Sequence, residues 1–138
     1  MKLQPKKTKF SKSHKGKATN RIISKNNYSQ ISNGTILLKT LVGYRLSGKQ
    51  IEILYITLNK FLKKAGNINT TVFPQIPVSK KPNEIRMGKG KGATDHWVAK
   101  ILPGTIICEI ETSNFKKALK AITYAKFRLP IKIKAIIL

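Results

Sequence analysis

Acidic residues are scarce in this chain of 138 residues: 5 Asp and Glu stand against 28 Lys and Arg, none of the five precedes Glu52, and the formal net charge is +23. Such an excess repels itself unless a polyanion or a dense counterion cloud accompanies it, so nucleic acid is the default partner. A single cysteine, Cys108, excludes an internal disulfide and a cysteine-based zinc site, and fits a reducing compartment. The two histidines, His14 and His96, are widely separated and do not supply the three or four ligands a metal requires. No apolar run approaches the roughly 20 residues needed to cross a bilayer, and no signal peptide is visible. A soluble, non-secreted protein without a membrane span is expected, with no homo-oligomer.

Catalytic equipment is equally sparse. Around Cys108 only His96 and Asp95 could complete a nucleophilic network. Alternation places Cys108 on the apolar face of one strand and His96 on the polar face of another, so Cys108 reads as a small buried hydrophobe. No enzyme activity, no metal and no cofactor are expected.

The charge that is present is uneven. MKLQPKKTKFSKSHKGKATNR, residues 1–21, carries eight basic residues and almost no aliphatic ones. It cannot bury enough apolar surface to fold alone and reads as a disordered basic arm that orders on its partner. Residues 22–138 are expected to form a single domain. Lysine outnumbers arginine 24 to 4, and Ile with Asn adds 28 residues, the bias of an AT-rich coding sequence. That composition suggests an organellar genome or an AT-rich bacterium.

Within the domain, TILLKTLVGYRL (35–46) reads as one strand. SGKQIEILYITLNKFLKKAGN then changes to helical spacing through Ile51, Leu54, Tyr55, Leu58, Phe61, Leu62 and Ala65, with Ser47 and Gln50 as a capping box and Gly66 at the C′ position. NINTTVF reads as a strand and FPQIPVSKKPNE as an extended segment. HWVAKIL and GTIICEIE, joined by Pro103-Gly104, are predicted to pair as a hairpin with Trp97, Ala99 and Ile101 on one face. SNFKKALKAITYAKFRL is a second helix through Phe115, Ala118, Leu119, Ile122 and Ala125, capped by Ser113 or Thr112 and stopped by Pro130. PIKIKAIIL is a last strand. The sum is an α+β fold: a mostly antiparallel sheet with two helices packed on one face, an extended basic arm, and a long basic glycine-rich loop at about 79–95.

That loop contains RMGKGKG (86–92), with one arginine, two lysines and three glycines in seven positions. GKGKGA formally satisfies the dinucleotide pattern, but the fingerprint must follow a buried strand and open a helix, whereas this one runs into a strand. Binding to phosphates is the chemistry that remains, since glycine permits close backbone approach while Lys and Arg supply charge. No element suits the DNA major groove and no aromatic pair marks an RNA-stacking sheet, so a folded RNA of complex shape fits best. The competing reading is a free nucleic-acid-coating basic protein.

PKKTKFSKSHKGK, RLSGKQIE, VFPQIPVSKKPNEIRMGKGKG, WVAKILPG and RLPIK stand in the order found in the bacterial-type ribosomal protein L-sixteen family, which the chain resembles over essentially its whole length. The resemblance implies an α+β constituent of the large ribosomal subunit that binds rRNA beside the aminoacyl-tRNA site, near the peptidyl transferase centre. It implies rRNA contacts for Lys6, Lys7, Lys9, Lys12, His14, Lys15 and Lys17 in the arm and for Lys80 and Lys81. It places Arg86, Met87, Gly88, Lys89, Gly90, Lys91 and Gly92 near rRNA or aminoacyl-site tRNA, among neighbouring ribosomal proteins. Gln75 stands where the family usually has Asp, and Ala93-Thr94 where it usually has Ser-Pro. The chain begins where bacterial members begin, and with the AT bias this points to a mitochondrial ribosome on the matrix side, with a plastid or a bacterial cytoplasm as alternatives.

Overall fold

The computed structural model describes residues 3–16, 34–63 and 65–137. In chain order these form β1 (Thr35–Thr40), β2 (Tyr44–Ser47), α1 (Gly48–Leu62), β3 (Gly66–Thr70), β4 (Ile76–Lys80), β5 (Ala93–Ile101), β6 (Ile106–Thr112), α2 (Phe115–Arg128) and β7 (Ile133–Ile137). The architecture is α+β, as the periodicities predict. Its strands divide between two antiparallel sheets, ordered β3-β6-β1-β7 and β2-β5-β4.

This division explains two departures from expectation. The stretch 35–46 is two strands rather than one, because the chain leaves the first sheet after Thr40 and enters the second at Tyr44. The predicted hairpin does not form either. The Pro103-Gly104 turn is present, with the Thr105 amide donating to the Leu102 carbonyl at 3.1 Å, but it carries the chain from the second sheet to the first. β5 pairs with β2 and β4, and β6 with β1 and β3. Turn chemistry fixes a reversal of direction, whereas strand pairing follows the burial available. The apolar β1, whose Ile36, Leu37 and Leu38 are fully buried, takes the place beside β6. Because β5 and β6 are middle strands, Val98 and Ile107 are buried alongside the alternating Ala99, Ile101, Cys108 and Ile110.

Helix α1 starts as its sequence specifies. The Ser47 hydroxyl accepts from the Gln50 amide at 3.3 Å, and the Gln50 carbonyl Oε1 accepts from the Ser47 amide at 2.9 Å, so two otherwise orphaned donors are satisfied. Ile51, Leu54, Leu58 and Leu62 form its buried stripe. Its end differs from the prediction: Lys63, not a glycine, takes the left-handed cap at φ 44°, its amide donating to Asn59 O at 2.9 Å. Gly66 instead opens β3, where a Cβ would lie 2.6 Å from the Glu111 carbonyl oxygen. Glycine is needed there for strand packing.

Asn114 caps α2, accepting from the Lys117 amide at 3.2 Å, in place of the expected Ser113 or Thr112. Thr112 is engaged elsewhere, donating to Ala65 O at 2.9 Å and accepting from the Asn114 amide at 3.1 Å. The buried face of α2 is Ala118, Ala121, Ile122 and Ala125, small enough to let it approach α1, where Phe61 and Tyr124 stack at 4.5 Å. Phe115 and Leu119, placed by spacing on the buried stripe, are 37% and 43% exposed, because the alanines centre the interface on the other side of the helix. In β7 the alternation holds for buried Ile133 and exposed Lys134. Among the described residues no helix is long and apolar enough to cross a membrane.

The α1 stripe spans the join between the layers, touching β3 of one sheet and β2 and β5 of the other. Leu58→Ala, at a position with no solvent exposure, should therefore lower stability by about 2–5 kcal/mol. Chemical denaturation of the purified variant measures this, and unchanged stability would contradict the packing.

Candidate nucleic-acid interface

β4 and β5 are antiparallel and their last pairs are Ser79 with Thr94 and Lys80 with Ala93, so the loop 81–92 leaves and re-enters the second sheet at one edge. Its glycines meet two different backbone demands. Gly88, Lys89 and Gly90 are consecutively left-handed, at φ 102°, 53° and 78°. Two glycines remove most of the steric penalty of that turn. Gly92 is needed for proximity: a Cβ there would sit 2.4 Å from the Lys80 carbonyl oxygen across the loop's neck. The loop runs into β5, a strand, which removes the structural context of a dinucleotide site.

Arg86, Met87, Lys89 and Lys91 are exposed, and Lys81 reaches across the loop to donate to the Gly88 carbonyl. The arm lies against the returning limb. Lys12 Nζ donates to Lys91 O at 2.7 Å, Lys91 Nζ donates back to Ser13 O, and Thr94 Oγ1 donates to Ser11 O at 2.7 Å. Farther along, the Arg45 guanidinium donates to Gly16 O, while at the other end Leu3 is buried against the Gly48 backbone. Residues 3–16 thus run along the domain with neither helix nor strand among them.

The structure accordingly brings Lys12 and Lys91 together and sets Lys80 and Lys81 at the loop's neck. Lys6, Lys7, Lys9, His14 and Lys15 are exposed along the arm, with the Lys9 ammonium 5.6 Å from the Phe10 ring centre. Lys17 lies outside the described residues. Sequence reasoning missed Arg45, Ser11 and Thr94. Arg45 could have been placed at the surface from its alternation with buried Leu46, but its carbonyl partner has no sequence signature.

Two acids accompany these cations, Glu84 in the loop and Asp95 at the start of β5. The Asp95 carboxylate is 2.8 Å from His96 Nδ1, and that hydrogen bond, helped by the charges of Lys80 and Lys49, holds its pKa below the usual carboxylate range. Neighbouring Trp97 is half-buried and lines an open cleft of about 600 Å³ with Leu3, Gly48 and Lys49.

Nothing in this region resembles a catalytic centre. Cys108 lies in the other sheet, fully buried, where desolvation, with a further contribution from Glu109, pushes its thiol up to about 12. Among the described residues no group of three His, Cys, Asp or Glu side chains could hold a metal ion.

A strongly cationic α+β domain, with a basic arm laid against a basic glycine-rich loop, is the class of protein these features define. The chain belongs to the ribosomal protein L16p/L10e family, which it matches over residues 5–136. It is 42% identical over 134 residues to the large ribosomal subunit protein uL16 of Pelagibacter ubique, covering 97% of this chain and 96% of that protein. It is equally 42% identical over 132 residues to the proteins of that name from Rhodopseudomonas palustris and Nitrobacter hamburgensis, covering 96% of this chain and 94% of each. As a member of that family it is a structural ribosomal protein and not an enzyme.

The buried thiol gives a direct check on the packing of β6. Its pKa rises from an ordinary 9.0 to about 12 on folding, so the stability it contributes is complete below pH 9 and is lost as pH climbs towards 12. At pH 8 the folded chain should hold on the order of a thousandfold less thiolate than the unfolded chain. Iodoacetamide should therefore label Cys108 slowly in buffer and readily in denaturant; rapid native labelling would show the thiol to be accessible.

Proposed function

We propose that this chain, a structural constituent of the large ribosomal subunit, grips large-subunit rRNA through Lys6, Lys7, Lys9, Lys12, His14, Lys15 and Lys17 of the arm and through Lys80 and Lys81. The loop from Arg86 to Gly92 reaches towards aminoacyl-site tRNA near the peptidyl transferase centre. The observation that carries this reading is the meeting of arm and loop: two basic segments some 78 residues apart in sequence lie against one another, joined through Lys12 and Lys91. Their hydrogen bonds to one another consume backbone carbonyls, while Arg86 and Lys89 at the tip stay exposed. Phosphate oxygens are the acceptors such donors match. The lysine-rich, AT-biased composition supports a mitochondrial ribosome as the setting; sedimentation with plastid or bacterial ribosomes instead would overturn that part of the reading.

Counterion release gives a slope of about −0.9 in log K against log salt per neutralised phosphate on duplex-like nucleic acid. Deleting residues 1–17 removes seven of the proposed contacts and should flatten that slope by several units for the cognate rRNA fragment. An unchanged slope would mean that the arm makes no phosphate contacts.

The loop is tested separately. Arg86→Ala should slow elongation or weaken aminoacyl-tRNA binding, and Arg86→Lys should also be defective, because a point charge cannot reproduce planar paired donors. Gly90 has open space around it and φ 78°, so Gly90→Val should act by straining the turn rather than by a clash. Because none of these changes touches the core, the subunits should still assemble. Normal tRNA affinity and elongation in all three variants would restrict the loop to an assembly role.

A further inference from the structure

We propose that the arm is also a strut that sets the shape of the glycine loop, with Lys12, Lys91 and Thr94 as its positioning residues; the functional weight of this inference rests on the preceding reading of arm and loop. The loop's own backbone secures its outgoing limb through the Ile85 amide, which donates to Pro82 O at 3.3 Å. Its tip then passes through three consecutive left-handed residues, Gly88, Lys89 and Gly90. Two glycines in such a turn leave the backbone many alternatives, so the returning limb needs external restraint. The arm supplies it: Thr94 Oγ1 holds Ser11 O at 2.7 Å, and Lys12 and Lys91 exchange side-chain bonds to Lys91 O and Ser13 O. The arm is itself secured to the domain on both sides of this clasp, by buried Leu3 and by Arg45 at Gly16. Lys12 and Lys91 each spend a charged donor on an uncharged carbonyl, so neither charge is neutralised by the other segment. Phosphates bound along the arm would answer those charges and tighten the clasp, so that rRNA on the arm stiffens the loop.

Thr94→Val removes the hydroxyl and leaves every charge in place. In the ¹⁵N-labelled full chain the backbone order parameters of Gly88, Gly90 and Gly92 should fall from about 0.8 to below about 0.6. The rRNA salt slope should stay unchanged, and Thr94→Ser should restore the loop. Lys12→Met, on an exposed arm position that cannot unfold the core, should loosen the loop likewise and also reduce the salt slope. Order parameters unmoved by both changes, or already below 0.6 in the unaltered chain, would overturn the strut. Failure of the RNA reading has a different signature: a salt slope indifferent to arm deletion while the loop still responds to Thr94→Val.

Discussion

Thr40 governs the relation between the two sheets. Its hydroxyl donates to Leu102 O at 2.9 Å and lies 3.2 Å from Thr105 O, its amide donates to Thr105 O at 3.0 Å, and its carbonyl accepts from the Gly104 amide at 2.8 Å. The chain changes sheet four times, after β1, after β2 by way of α1, after β3 and after β5, and these bonds tie the first and last of those crossings into one corner. A fully buried threonine is tolerable only when so fully bonded, because an unsatisfied buried polar group costs about 1–3 kcal/mol. The corner fixes the end of β5, and β5 in turn fixes where the basic loop re-enters the sheet. The geometry of the cationic edge is thus tied, through β5, to an uncharged corner distant from it in sequence.

A net charge of +23 is compatible with folding here because cohesion and charge occupy separate places. The core is aliphatic and alanine-rich, and the buried polar residues among those described are threonines, whose hydroxyls can be satisfied locally. Among the described residues no cation is buried, so the core keeps its cohesion while the described lysines remain available to an anionic partner.

What was legible in the sequence was local. Helical periodicity, the Ser47–Gln50 box, the Pro130 stop and the burial of Cys108 all follow from interactions within a few residues or from one strand's alternation. The false hairpin and the divided 35–46 strand arose because Pro103-Gly104 and Leu41–Gly43 mark changes of direction without saying which strands will meet. Thr112 gave way to Asn114 as cap because its hydroxyl is oriented by donation to Ala65 O, 47 residues away, and accepts from the Asn114 amide, one turn short of the free amides of α2. The candidate site shows the same boundary. Its cations and glycines could be read directly, whereas the bonds that bring arm to loop end on backbone carbonyls, which every residue possesses and no residue type announces.

The glycine loop itself shows why composition underdetermines such a site. Close approach to a ligand is one use of glycine, but Gly92 is required by the Lys80 carbonyl across the neck, and Gly88 and Gly90 by the handedness of the turn. Those demands are internal to the protein and would exist without RNA. The lysines between them are another matter: repulsion between exposed charges is screened over about 8 Å at physiological salt, and a single exposed bond to a carbonyl contributes little. It is the clasp as a whole, Thr94 on Ser11 together with the two lysine bonds, that sets where arm and loop rest. A polyanion answers those charges, and because an ammonium carries three hydrogens Lys12 and Lys91 can each meet a phosphate and keep a carbonyl bond, so the arrangement of arm and loop is most stable when the charge it carries has been answered.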